Sequence, residues 1–112
     1  MAIVRLDTVR TLGFAAISGS YIAVGTPIQH NWRLVHFINN TDGDVYFSVD
    51  GINDNVFVPT GSFVLYDVST NSSSSVGASD LLFELYTQFY VKEVTATTSG
   101  DVYVQGMYAR GQ

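Results

Sequence analysis

Two histidines are the first residues to weigh for chemistry. His36 lies between Val35 and Phe37, and His30 lies between Pro27 and Trp32. A zinc site needs three or four ligands. The chain has no cysteine, so the histidines would have to recruit carboxylates from elsewhere. We expect a structural or surface role for each. Four aspartates come next. Asp42, Asp44, Asp50 and Asp54 gather about two consecutive turns, and calcium takes oxygen ligands of this kind. The run from Asp50 to Asn55 lacks the spacing of the helical calcium loop and its closing glutamate. Asp, Asn and Gly are also natural turn formers. Turn chemistry is the favoured reading, and Asp50 and Asp54 stand as the candidates for a cation site.

Catalytic patterns are missing. A glycosidase pair needs two acids flanking a cleft. Glu84 and Glu93 are the only glutamates, and so short a chain has little room for a cleft. Serine is plentiful, but no G-x-S-x-G elbow occurs. Gly13, Gly19 and Gly25 lack the lysine and helix of a phosphate loop. We expect no enzymatic activity, no catalytic residue, no cofactor and no resident metal. Exposed rings can also stack on sugars, and Trp32 with neighbouring tyrosines could do so. Packing of Trp32 in a core or interface is the favoured alternative.

Strands must position these side chains. In 45–50, Val45, Phe47 and Val49 fall on one face and Tyr46, Ser48 and Asp50 on the other. Segments 33–39, 62–68 and 102–109 repeat the two-residue period with β-branched and aromatic residues. Asp42-Gly43 reads as a hairpin turn. Further turn signals lie at 50–55, 59–61 and 97–101. Segment 11–24 fits one bent strand or two short ones. Segment 80–94 fits a strand, a kink near Thr87, and a second strand at 88–94. Residues 69–79 are a serine-rich loop. This rhythm predicts an all-β fold, a single antiparallel β-sandwich of about eight strands over residues 1–112, with the jelly roll as one candidate topology. Residues 1–12 fit either an extended arm that orders on a partner or an ordinary first strand.

Composition points toward association. The chain has 112 residues, 46% of them apolar and only 13% charged, with a formal charge of −5. Five scattered basic residues cannot build an extended phosphate-binding face, so we expect no nucleic-acid partner. No run of about 18 apolar residues is present, and the N-terminus does not read as a signal peptide. We expect no membrane partner. Segments 34–38 and 63–66 are apolar or aromatic on both faces. One small core cannot hold every ring, which predicts a tyrosine-rich subunit interface. The interface candidates are Arg5, Arg10, Tyr21, Trp32, Tyr46, Tyr66, Tyr86, Tyr90 and Tyr108.

Four runs carry a resemblance. They are Tyr21 to Pro27 (YIAVGTP), Arg33 to Asp42 (RLVHFINNTD), Val45 to Gly51 (VYFSVDG) and Val58 to Phe63 (VPTGSF). With Val64 to Val68, Thr87 to Lys92 and Ser99 to Val104, they resemble small β-sandwich structural proteins of tailed-bacteriophage virions. The likeness spans roughly residues 20–108 and carries no catalytic markers. It implies a non-enzymatic virion component, assembled in the host cytoplasm, that contacts copies of itself and other virion proteins. Capsid decoration, neck and tail positions all fit it. A carbohydrate-binding module is the alternative from a different class.

Overall fold

The computed structural model describes residues 3–67 and 86–110. The two-residue alternation builds nine strands among them. They are β1 (Ile3–Leu6), β2 (Arg10–Gly13), β3 (Ile22–Ala23), β4 (Trp32–Thr41), β5 (Val45–Ser48), β6 (Val56–Val58), β7 (Phe63–Asp67), β8 (Tyr90–Glu93) and β9 (Gly100–Arg110). A short 3-10 helix at Phe14–Ala16 follows β2. The strands form two antiparallel sheets packed as a sandwich. In the first, β9 pairs with β1 and β2 on one side and with β4 on the other, and β7 flanks β4. The second runs β3-β8-β5-β6.

The pairing has a simple order. Strand β2 pairs with β9, β3 with β8, β4 with β7 and β5 with β6, all antiparallel. The chain therefore follows the path of one long hairpin with its tip between β5 and β6. Pairing of β4 with β9 and of β5 with β8 completes each sheet. Sequence neighbours β4 and β5 lie in different sheets. The Asp42-Gly43 turn is thus a crossover and not a hairpin, and the link from β8 to β9 crosses over as well.

Inward residues from both sheets make the core. Val35 and Phe37 of β4 and Val102 and Val104 of β9 meet Val45, Phe47, Val58 and Val91 of the second sheet, all buried. Phe37 packs on Phe47 at 4.9 Å and edge-on to Phe89 at 5.7 Å. Strict alternation would put Trp32 on the face of Leu34, outward. A bulge between Trp32 and Leu34 shifts the phase and turns Trp32 inward, where it is wholly buried.

A buried polar clamp holds the crossover at 41–44. Asn39 Nδ2 donates to the carbonyls of Gly43 and Val58, at 2.8 and 2.9 Å. Its Oδ1 accepts from the Thr41 amide at 3.0 Å and the Thr41 hydroxyl at 2.6 Å. Asp42 accepts from the Thr98 amide at 2.7 Å, and Asp44 from the Thr60 amide at 2.9 Å. Three loops are thereby locked at one end of the sandwich.

Within 1–12, residues 3–6 and 10–12 pair with β9. Segment 11–24 holds the end of β2 and the short β3. Tyr86 has φ of 71°, beside the kink expected near Thr87. Strand β5 stops at Ser48, so Val49 faces solvent and not the core. The loop 69–79, Glu84 and the first strand expected in 80–94 lie outside the described residues.

Candidate functional site

The outer face of the second sheet gathers five of the candidate residues. Tyr46 of β5 pairs with Phe57 of β6 and with Lys92 of β8, so the three side chains share that face. Ser48 pairs with Tyr90, one step along. Tyr21 comes in just before β3. The Lys92 ammonium sits 4.8 Å from the Tyr21 ring and 5.8 Å from the Tyr46 ring, within cation–π range. It pairs with Asp54 Oδ1 at 2.9 Å. The Tyr21 hydroxyl donates to that same oxygen at 2.5 Å. Tyr46 and Phe57 lie 5.4 Å apart with planes tilted by 59°.

The turn after β5 fixes this cluster. Asp50 Oδ1 accepts from the amides of Ile52 and Asn53, both at 2.8 Å, and from the Ser48 hydroxyl. This is an Asx-type turn. Gly51 at φ 74° lies under the Tyr90 ring; a Cβ there would meet the ring at 3.3 Å. Asp50 therefore serves as a turn residue, and Lys92 takes the place beside Asp54 that a cation would need. Among the described residues, no three His, Asp or Glu side chains gather as a metal set.

Electrostatics follow these contacts. Burial and the Asp54 hydrogen bond hold the Tyr21 phenol above its ordinary range, so it remains a donor. Amides of Asn53 and Ile52 hold Asp50 below the carboxyl range. The Tyr21 and Lys92 hydrogen bonds do the same for Asp54, and Thr98 does it for Asp42. A lowered folded value means that the unfolded chain binds the proton first on acidification. These three carboxylates thus stabilise fully above the ordinary value of 3.8. That contribution is lost as pH falls through the lowered values. We predict that Asp50→Ala lowers the urea midpoint at neutral pH and that the gap to wild type narrows in acid. Urea titrations from pH 7 downward measure it.

The other candidates separate. Trp32 and Arg10 are buried and offer no interface, which corrects the interface candidacy of both; Trp32 takes the core packing weighed beside the interface. Trp32 turns inward at the bulge. Arg10 stands over the Trp32 ring at 5.2 Å and donates to the carbonyls of Thr26, Thr8 and Pro27. It also pairs with Asp7 at 3.6 Å. Arg5 is exposed and sits opposite Tyr108. Tyr108 stacks on His30 at 3.8 Å. Tyr66 lies edge-on to Phe37 at 6.3 Å yet stays partly exposed. Tyr86 is exposed near Ile28, whose carbonyl accepts from its amide.

Sequence alone does not single out Lys92 or Phe57. The signal for Lys92 is its place two residues after Tyr90, on the same strand face. Phe57 stands in a three-residue strand too short to show a period.

A second feature is the outer face of the first sheet. Ile38 pairs with Phe63 and His36 with Leu65 across β7. Ile38 also pairs with Tyr103, and Leu34 with Met107, across β9. Leu6 stands opposite Met107. Leu6, Phe63 and Leu65 are 82%, 63% and 51% exposed. His36 sits edge-on to Phe63 at 4.9 Å, with its Nε2 buried and unpartnered. No described helix is long and apolar enough to cross a membrane. Comparison of the chain with protein-family models, with curated proteins and with solved structures finds no match.

Proposed function

We propose that this chain is a non-enzymatic structural protein that assembles with copies of itself and with other proteins of a phage particle. The apolar outer face of the first sheet carries the reading. A two-sheet sandwich that stays monomeric presents polar residues outward on at least one face of each sheet. Here Leu34, Ile38, Phe63, Leu65, Tyr103 and Met107 share one outer face by register, with His36, Gln105 and Asp67 as its polar members. Covering such a surface contributes roughly 25 cal/mol per Å². Low overall charge, 13% of residues, leaves little repulsion to oppose stacking of copies.

The particle setting rests on the resemblance of the four runs and on strand order. We read the order β2-β9-β4-β7 over β3-β8-β5-β6 as that of a jelly roll. Jelly rolls recur in capsid and lectin domains, a fold-level analogy that supports the setting without choosing a position in the particle.

Light scattering across a concentration series tests the proposal. We predict a native mass above that of one chain, and for Leu65→Asp a folded monomer that lacks the stability the wild type gains by association. A three-fold assembly supports lattice decoration, and a larger ring supports a neck or tail adaptor. A wild-type chain that stays monomeric at high concentration overturns self-assembly.

A further inference from the structure

We propose that the outer face of the second sheet binds a saccharide, with two neighbouring ring hydroxyls held by Lys92 and Asp54 beside the rings of Phe57 and Tyr46. The cluster is half satisfied in a particular way. An ammonium has three donors, and Lys92 places one on Asp54 Oδ1. That oxygen also takes the Tyr21 hydroxyl. Among the described residues, Asp54 Oδ2 accepts no hydrogen bond. A free donor and a free acceptor therefore stand side by side on a face that is partly open to water.

Charge selects the ligand class. An anion meets Asp54 and Asp50, both carboxylates. A metal cation meets the Lys92 ammonium already paired with Asp54. A neutral group that both donates and accepts complements the pair, and a hydroxyl does both. Two neighbouring hydroxyls reach the ammonium and the carboxylate together. Beside the pair, Phe57 is 45% exposed and forms a tilted wedge with Tyr46. A pyranose carries hydroxyls at its rim and an apolar C–H face, which suits the two halves of this surface.

The site is preorganised. Lys92 is held by one carboxylate and two rings, and the Asp50 turn fixes the loop that carries Asp54. Little side-chain freedom remains to be lost on binding. This face is opposite the one proposed for assembly, so each reading can fail alone.

Amide NMR titration of the full chain tests the site. The probes are the methyl glycosides of glucose, galactose and mannose, with a blocked Gly-Phe-Gly tripeptide as the competing chemistry. We expect at least one glycoside to shift the resonances of Tyr46, Phe57 and Lys92. Phe57→Ala and Lys92→Met should each weaken that binding about tenfold, with amide spectra away from the site unchanged. Leu65→Asp on the opposite face should bind as wild type does. The proposal is overturned if no glycoside moves these resonances, if only the tripeptide does, or if both folded variants bind undiminished.

Discussion

Trp32→Ala removes about 3–5 kcal/mol of stability, the range for deleting a fully buried large aromatic side chain. A domain of this size has only about 5–15 kcal/mol in all. The reason lies on every side of the ring. Phe89 stacks against it at 5.5 Å. The Arg10 guanidinium covers it at 5.2 Å, and its Nε1 donates to Asp7 Oδ2 at 2.8 Å. Beneath it lies Gly106, where an added Cβ would stand 2.1 Å from the ring. Truncation leaves a cavity, takes a donor from Asp7 and uncovers Arg10.

The Gly106 contact makes the claim sharper. Gly106→Ala alone forces the ring or the β9 backbone to move, and overpacking of this kind costs about 1–3 kcal/mol. In the Trp32→Ala background the added methyl enters empty space, so its cost shrinks or changes sign. Denaturant midpoints for the four proteins give the coupling. A neutral Gly106→Ala in the wild-type background would mean that Trp32 is not seated on that glycine. Loss of sugar binding in Trp32→Ala would report only a damaged fold, and that is why Phe57 and Lys92 carry the binding test.

Much of this fold is legible in local pattern. The alternation in 33–39 and 102–109 marks the two long central strands and that in 45–48 a short one, because one face of each must enter the core. Paired apolar faces at 34–38 and 63–66 anticipate the unusual outer surface of the first sheet. What local pattern lacks is the partner of each strand. Asp42-Gly43 has the chemistry of a tight turn, but turn residues serve equally where a chain passes from one sheet to the other. The Asn39 clamp decides that case, and it depends on Val58, nineteen residues on.

The candidate residues divide for related reasons. Tyr21, Tyr46 and Tyr90 converge because β3, β5 and β8 are neighbours in one sheet, a fact of topology that no window of sequence contains. Trp32 joins the core and not an interface because a one-residue bulge reverses its face. Arg10 misleads because a basic residue near a terminus is ordinarily solvated, whereas here three backbone carbonyls surround its guanidinium. Those carbonyls belong to Thr8, Thr26 and Pro27, in loops that the sandwich alone brings together.

Asn39→Asp is the second large effect, because it changes the sign of a buried hydrogen bond without changing shape. Asn39 is fully buried, and its amide donates to two carbonyls. A carboxylate has no hydrogen to offer, so the Gly43 and Val58 oxygens would face a third oxygen bearing charge. Leaving a buried charge uncompensated costs about 3–5 kcal/mol. Protonation restores one donor of the two. The introduced carboxyl is therefore held above its unfolded value, and its penalty is smallest below that value and complete once pH rises past the folded one. The gap between variant and wild type should narrow on acidification, on top of the acid loss that Asp42, Asp50 and Asp54 give both proteins. Asn39→Leu separates charge from hydrogen bonding, since it also orphans the two carbonyls and the Thr41 amide but adds nothing that titrates. Its deficit should be independent of pH. Urea midpoints for both variants at neutral and acidic pH decide it, and a pH-independent deficit in Asn39→Asp would show that water reaches the clamp.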